Sequence, residues 1–160
     1  ILVDFLNRRM PGYVDTGLNW VPVEDCAAGH LLAAERGRPG QRYILGGVNL
    51  TLKELLDILS RISGITAPRV RFPYALALVA GYFDHGASRL FGRAPQIPLE
   101  GVRMARHKMF VDCAKAGRKL GFRPGPIQAA LERAVRWYEE NGYVRNGRAS
   151  SGTTVRARAA

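Results

Sequence analysis

Few residues in this chain stand where they could do chemistry together. The three histidines, His30, His85 and His107, are isolated. None has a cysteine, histidine or carboxylate at metal-ligand spacing on a clear helix, so no metal site is expected. Glu24-Asp25 could form an acid/base pair. Asp25, however, stands where an N-cap would, with its carboxylate free to accept the open N–H groups of a helix that begins at Cys26. Cys26 then falls in a first turn, where a thiolate would be stabilised, although a small packing residue is the plainer reading. Gly46-Gly47 follows an apolar run, but neither G-x-G-x-x-G nor a P-loop occurs, so no phosphate cradle is expected. Asp112 and Lys115 read as a helix cap and a surface lysine, and Glu139-Glu140 as helix surface. These residues compose no self-contained catalytic centre, and no catalytic, cofactor-binding or metal-ligating residue is assigned.

The elements around them follow from periodicity. Ile1–Arg9 reads as a helix with Ile1 and Phe5 on its apolar side, ended by Pro11-Gly12. Tyr13–Asp15 and Leu18–Val23 read as short strands, the second made irregular by Pro22. Asp25 caps a helix through Arg36 with Ala27, Leu31 and Ala34 on one face, and Arg42–Leu45 is a strand. Thr51 and Glu54 form a capping box for a helix through Ser63, with Leu52, Leu55, Leu56, Leu59 and Ile62 in one stripe and Gly64 as stop. Val70–Phe72 is a short strand. Pro73 opens Tyr74–Phe91, apolar on most faces in its first half and hence a core helix or an interface. Leu99–Arg106 is a short helix and Met109–Val111 is strand-like. Asp112 caps Cys113–Leu120, with Gly121 as stop. Pro126 starts Ile127–Asn141, whose stripe is Ile127, Ala130, Leu131, Ala134, Val135 and Tyr138.

Composition bounds the class. The 160 residues are 47% apolar, which suits one folded domain. The net charge of +11 is uneven, with four arginines and no acid after residue 142. Residues 145–160 are expected to be a disordered basic tail. A basic balance admits nucleic acid or anionic lipid as partner, but no RNP-like, zinc-finger or helix-turn-helix pattern supports nucleic acid, so a solvated basic surface is preferred. Two isolated cysteines suggest a reducing, cytoplasmic setting. The longest apolar run, Tyr74–Phe83, is too short to span a bilayer. The chain opens on Ile1 within an apolar-periodic segment, which reads as a fragment lacking an N-terminal part.

Four segments in order carry a resemblance. They are Trp20-Val-Pro-Val-Glu-Asp25 with Ala27-Ala28-Gly29-His30, then Tyr43-Ile-Leu-Gly-Gly47, then DCAKAGRKLGFRP from Asp112, then Ala134-Val-Arg-Trp137. Together they resemble the C-terminal half of extended short-chain dehydrogenase/reductases, the NAD-dependent epimerase/dehydratase family. Asn49-Leu-Thr-Leu52 and Pro68–Phe83 look most like its hopanoid-associated sugar epimerase branch, near dihydroflavonol-4-reductase-like proteins. The resemblance implies an α/β fold: residues 1–144 would be the C-terminal substrate-binding portion of a Rossmann-type enzyme, mostly helical with a few short strands. The Rossmann half, with its glycine-rich turn for NAD or NADP and its Ser/Thr and Tyr-x-x-x-Lys pair, would precede residue 1. This chain would bind no cofactor alone and would not catalyse alone. A homodimer is an expectation for the full-length enzyme.

The resemblance places substrate contacts at Phe5, Leu18, Asn19, Trp20 and Arg103, with Arg106 as another anion partner. Sugar-nucleotide epimerases of this family usually have an Arg where this chain has Leu18, to hold a diphosphate. Pro22 stands in place of the family's His. A less charged or more apolar substrate fits Leu18, Trp20 and the Tyr74–Phe83 segment better. Two readings compete with this one. One is a stand-alone basic module for nucleic acid or anionic membrane, acting through the arginine-rich surface and tail. The other is a truncated relic that folds only with a partner.

Overall fold

Leu55, Leu56 and Leu59 are fully enclosed, and the molecule's larger core is assembled on them. They lie on one face of α3 (Leu52–Ser63), as 3.6-residue periodicity requires. Phe5 and Leu6 from α1 (Leu2–Leu6) and Leu131 and Val135 from α7 (Ile127–Glu140) close over them. The computed structural model describes residues 1–92, 94 and 99–145. Of the tail expected to be disordered, all but Arg145 lies outside the described residues.

Around α3 run β1 (Tyr13–Val14), β2 (Gly17–Trp20), α2 (Val23–Arg36), β3 (Val48–Thr51), β4 (Arg71–Phe72), α4 (Tyr74–Phe91), α5 (Leu99–Met104) and α6 (Ala114–Leu120). The strands form two pairs. β1 lies parallel to β4, with Tyr13 opposite Arg71. β2 lies antiparallel to β3, with Gly17 opposite Thr51 and Trp20 opposite Val48. Met109 adds a parallel bridge to Leu18. A second, smaller core joins α6 to α2. Ala116, Leu120 and Phe122 pack there against Val21, Leu32, Ala33, Tyr43 and Leu45.

Several expectations hold in detail. The Thr51–Glu54 capping box forms, with Glu54 N–H donating to Thr51 Oγ1 at 3.2 Å and Thr51 N–H donating to Glu54 Oε2 at 2.8 Å. Gly64, Gly92 and Gly121 end α3, α4 and α6 in the left-handed conformation that glycine adopts without strain. The Asp112 carboxylate accepts the Ala114 N–H at 2.7 Å, although α6 starts one residue later than expected, with Cys113 in place of Asp112 at the N-cap.

Four expectations are corrected. Helix α1 stops at Leu6: the Asn7 amide donates to Val3 O at 2.8 Å and to Tyr143 O at 2.9 Å, and Arg8 turns to φ 57°. Helix α2 starts at Val23 with Pro22 as its N-cap, so Pro22 ends the strand region and does not distort it. Asp25 is therefore inside the first turn, where its carboxylate accepts the Gly125 N–H at 2.7 Å from 100 residues away.

The face of α2 that packs is also different. Gly29, Leu32 and Ala33 turn inward, whereas Leu31 is 68% exposed and Ala27 and Ala34 are exposed with it. Gly29 decides this, since a Cβ there would come within 2.9 Å of Leu45 and Phe122. Finally, residues 42–45 alternate as a strand should, with Tyr43 and Leu45 turned to α6 and Ile44 half exposed. Yet among the described residues none of 42–46 makes a backbone–backbone hydrogen bond. The strand proper is β3, which pairs with β2 beyond Gly46-Gly47.

The capping box carries a pH signature. Hydrogen bonds from the Thr51 side chain and then its backbone hold the Glu54 carboxyl below its ordinary 4.5. The resulting stabilisation is complete above that ordinary value and is lost as pH falls through the lower folded value. Urea unfolding followed against pH is expected to show a Glu54-dependent loss on the acid side that Glu54→Gln removes. Equal acid limbs in the two proteins would contradict it.

Candidate functional site

Asn19 and Asn49 lie opposite each other on β2 and β3, and their side chains face each other across the pair. Asn19 Nδ2 donates to Asn49 Oδ1 at 2.8 Å, and Asn19 Oδ1 accepts the Gly47 N–H at 2.8 Å. Asn49 also reaches the 109–111 segment: its Nδ2 donates to Val111 O at 3.0 Å, and its Oδ1 accepts the Val111 N–H at 3.2 Å. One amide thus replaces a strand's backbone, offering one donor and one acceptor in the spacing a ladder needs. Gly46 must be glycine for this approach, because a Cβ would meet Asn19 Oδ1 and, at 2.6 Å, Cys113 Sγ. Sequence patterning did not single out Asn49 for this role. Its only signal was a polar residue set between Val48 and Leu50.

The strand pair β1–β4 supports a cavity of about 220 Å³. Asp15, Arg71, Phe72, Tyr74 and Arg106 are among its lining residues. Arg71 Nη2 donates to Asp15 Oδ2 at 2.8 Å, and Lys108 Nζ lies 3.7 Å from Asp15 Oδ1. Arg106 has no ion pair or side-chain hydrogen bond among the described residues. Arg71 and Lys108 thus pair with the Asp15 carboxylate, while Arg106 lines the same cavity beside two half-buried rings. Such a site can take an oxygen-rich or anionic group against the cations and a flat or apolar body against the rings.

The sequence-selected residues separate into groups. Leu18, Asn19 and Trp20 are consecutive on β2 and half-buried. Leu18 lies opposite Leu50 and bridges to Met109. Trp20 packs against the larger core, and its indole N–H is buried without a hydrogen-bond partner among the described residues. Phe5 is 2% exposed in that core, at the base of a second cavity of about 190 Å³ that Arg8 and Met10 also line. Arg103 is on α5, held by Glu100 at 2.9 Å and donating to the Tyr82 hydroxyl at 3.0 Å. The Tyr82 contact and then Glu100 push its pKa further up. Of the two candidate anion partners, Arg106 lines the first cavity, and Arg103 has its partners within α4 and α5. His30 is exposed, with Nδ1 2.7 Å from Cys26 O. No cluster of metal ligands occurs among the described residues.

Comparison with known proteins gives a consistent picture. The chain is 42% identical over 149 residues to a protein from Synechocystis named as a dihydroflavonol 4-reductase, covering 91% of this chain and 43% of that one. It is 29% identical to sterol demethylase protein B of Methylococcus capsulatus, covering 89% of this chain and 44% of that protein. The solved structure of PA4631, a nucleoside-diphosphate-sugar epimerase from Pseudomonas aeruginosa, superposes with a TM-score of 0.71 at 30% identity, over 90% of this chain and 42% of that one. No protein-family profile matches the chain. The chain spans less than half the length of each of these proteins.

The asparagine bridge is directly testable. Replacing Asn49 by Ala removes three hydrogen bonds, each contributing roughly 0.5–1.5 kcal/mol. Unfolding free energy is expected to fall by about 2 kcal/mol, and the Val111 amide is expected to exchange with solvent as fast as a loop amide. Unchanged protection at Val111 would contradict the assignment.

Proposed function

Because the chain corresponds to the C-terminal part of an extended short-chain dehydrogenase/reductase with a Rossmann-type fold, we propose that it is the substrate-binding portion of an NAD(P)-dependent reductase or epimerase/dehydratase. The observation that carries this is the 42% match spanning 91% of the chain but only 43% of a reductase-named relative. In this reading the remaining length supplies the cofactor fold, the glycine-rich turn and the proton-transfer residues.

Two features of the chain support a docked cofactor half. The extended segment 42–46 leaves its backbone groups without a backbone partner among the described residues, the condition of a strand waiting for a neighbour. Beside it in sequence, the outer face of α2 presents Val23 at 76% exposure and Leu31 at 68%, a run of apolar side chains one turn apart that includes Ala27. Burying such side chains contributes roughly 1.5–3 kcal/mol each.

The substrate would lie between the two halves, against the cavity of Asp15, Arg71, Phe72, Tyr74 and Arg106. Asp15 holds Arg71 in place, Arg106 meets the polar end of the substrate, and the two rings take its apolar body. Leu18 and the buried Pro22 leave the neighbouring strand without the charge that a diphosphate needs. An apolar carbonyl or hydroxyl compound is therefore the preferred substrate class, over a nucleoside-diphosphate sugar.

The test uses the full-length protein. It is expected to bind NAD(H) or NADP(H) by fluorescence titration and to turn over apolar ketones from a substrate panel, whereas residues 1–160 alone bind neither cofactor. Arg106→Ala is expected to raise KM at least about tenfold, the effect of losing one charged contact of about 1.4 kcal/mol, with kcat little changed. Cofactor binding by residues 1–160 alone, or a full-length protein that binds none, would overturn the proposal.

A further inference from the structure

Gly12 is buried just ahead of β1, and space makes it a glycine. Its backbone is outside the left-handed region, so no turn demands it. A Cβ at Gly12, however, would come within 2.5 Å of Phe72 Cε2, 3.0 Å of Phe72 Cδ2 and 2.6 Å of Val70 O. The Tyr13 N–H donates to the same Val70 oxygen at 3.0 Å. The chain at Gly12 therefore runs directly against the start of β4, and one edge of the Phe72 ring rests on that backbone.

The Phe72 ring also lines the cavity of about 220 Å³, and Gly12 does not. Phe72 thus has main chain at one edge and the cavity at another. Main chain is a hard stop. A side chain pressed by a ligand can change rotamer, whereas a paired backbone yields only if the pairing breaks. Here the pairing sets Tyr13 opposite Arg71 and Val14 opposite Phe72, and Val14 lines the cavity beside the ring. Arg71 and Arg106, by contrast, are long, exposed side chains that can shift at the cavity's mouth. Phe72 is therefore the wall that cannot withdraw toward Gly12 to admit a larger body.

We propose that Phe72 sets the size of substrate the cavity accepts, and that Gly12 is the positioning residue that holds its ring. The inference rests on the substrate-binding reading above and deepens it to which apolar bodies fit. An apolar wall discriminates by roughly ten- to two-hundredfold for a methylene-sized change.

The experiment measures kcat/KM of the full-length protein for cyclohexanone, with one ring, and decalone, with two. Phe72→Val is expected to raise the decalone-to-cyclohexanone ratio about tenfold or more. Gly12→Ala is expected to lower that ratio by pushing the ring into the cavity, and to leave it unchanged in the Phe72→Val background, where no ring remains to push. Its Cβ also meets Val70 O, so Gly12→Ala is expected to unfold at lower temperature, and Phe72→Val carries the test by itself if Gly12→Ala does not fold. A loss of packing alone would change both ketones alike and leave the ratio where it was. An unchanged ratio in active Phe72→Val protein would overturn the inference and leave the substrate-binding reading standing. An equal effect of Gly12→Ala in both backgrounds would remove Gly12 from it. Turnover of neither ketone by cofactor-bound wild-type protein would overturn it together with the substrate class, and absence of cofactor binding would overturn the reading beneath both.

Discussion

The network in which Asn49 bonds Asn19 and Val111, and Asn19 in turn bonds Gly47, is the constraint on which the arrangement of this chain rests. Four hydrogen bonds between 2.8 and 3.2 Å tie three segments that are far apart in sequence. Without them, β2–β3 would be a two-stranded ribbon, marginal by itself, and the 109–111 segment would be joined to it only through Leu18 and Gly17. With them, α6 is anchored where it covers Tyr43 and Leu45, and β2 keeps Leu18 and Trp20 in one register. Gly46 follows from the same constraint, because the asparagine amide occupies the space its side chain would fill.

A second consequence is how the chain's apolar surface divides. The larger core uses α1, α3 and α7, and the smaller uses α2 and α6. Neither covers the outer faces of α2 and α4. The cavity over Phe72 and Tyr74, with Arg106 unpaired among the described residues, would face the interior of the assembled enzyme.

Local signals were legible wherever the cause was local. The α3 stripe, its capping box and the glycine stops were all readable because each depends on residues within one or two turns. Misreadings arose where a distant partner decided the outcome. Asp25 has the chemistry of an N-cap, yet Pro22 starts the helix and Asp25 serves a backbone N–H 100 residues away. The α2 stripe of Ala27, Leu31 and Ala34 has correct helical spacing, but the closeness allowed by Gly29 turned another face inward. Residues 42–45 have the period of a strand and lack the neighbour that would make them one. In the site, Arg106 and Arg103 could not be told apart in sequence. Their separation depends on Tyr82 and Glu100, which satisfy one of them and leave the other at the cavity.

The central claim is that this chain is one half of a two-part enzyme, with the 42–46 edge and the α2 outer face closed by the other half. Hydrogen exchange measured on residues 1–160 alone and on the full-length protein tests it most directly. The amides of 42–46 are expected to exchange at loop rates in the short chain and to be strongly protected in the full-length protein, while those of α3 are protected in both. Equal exchange of 42–46 in the two proteins would contradict the claim.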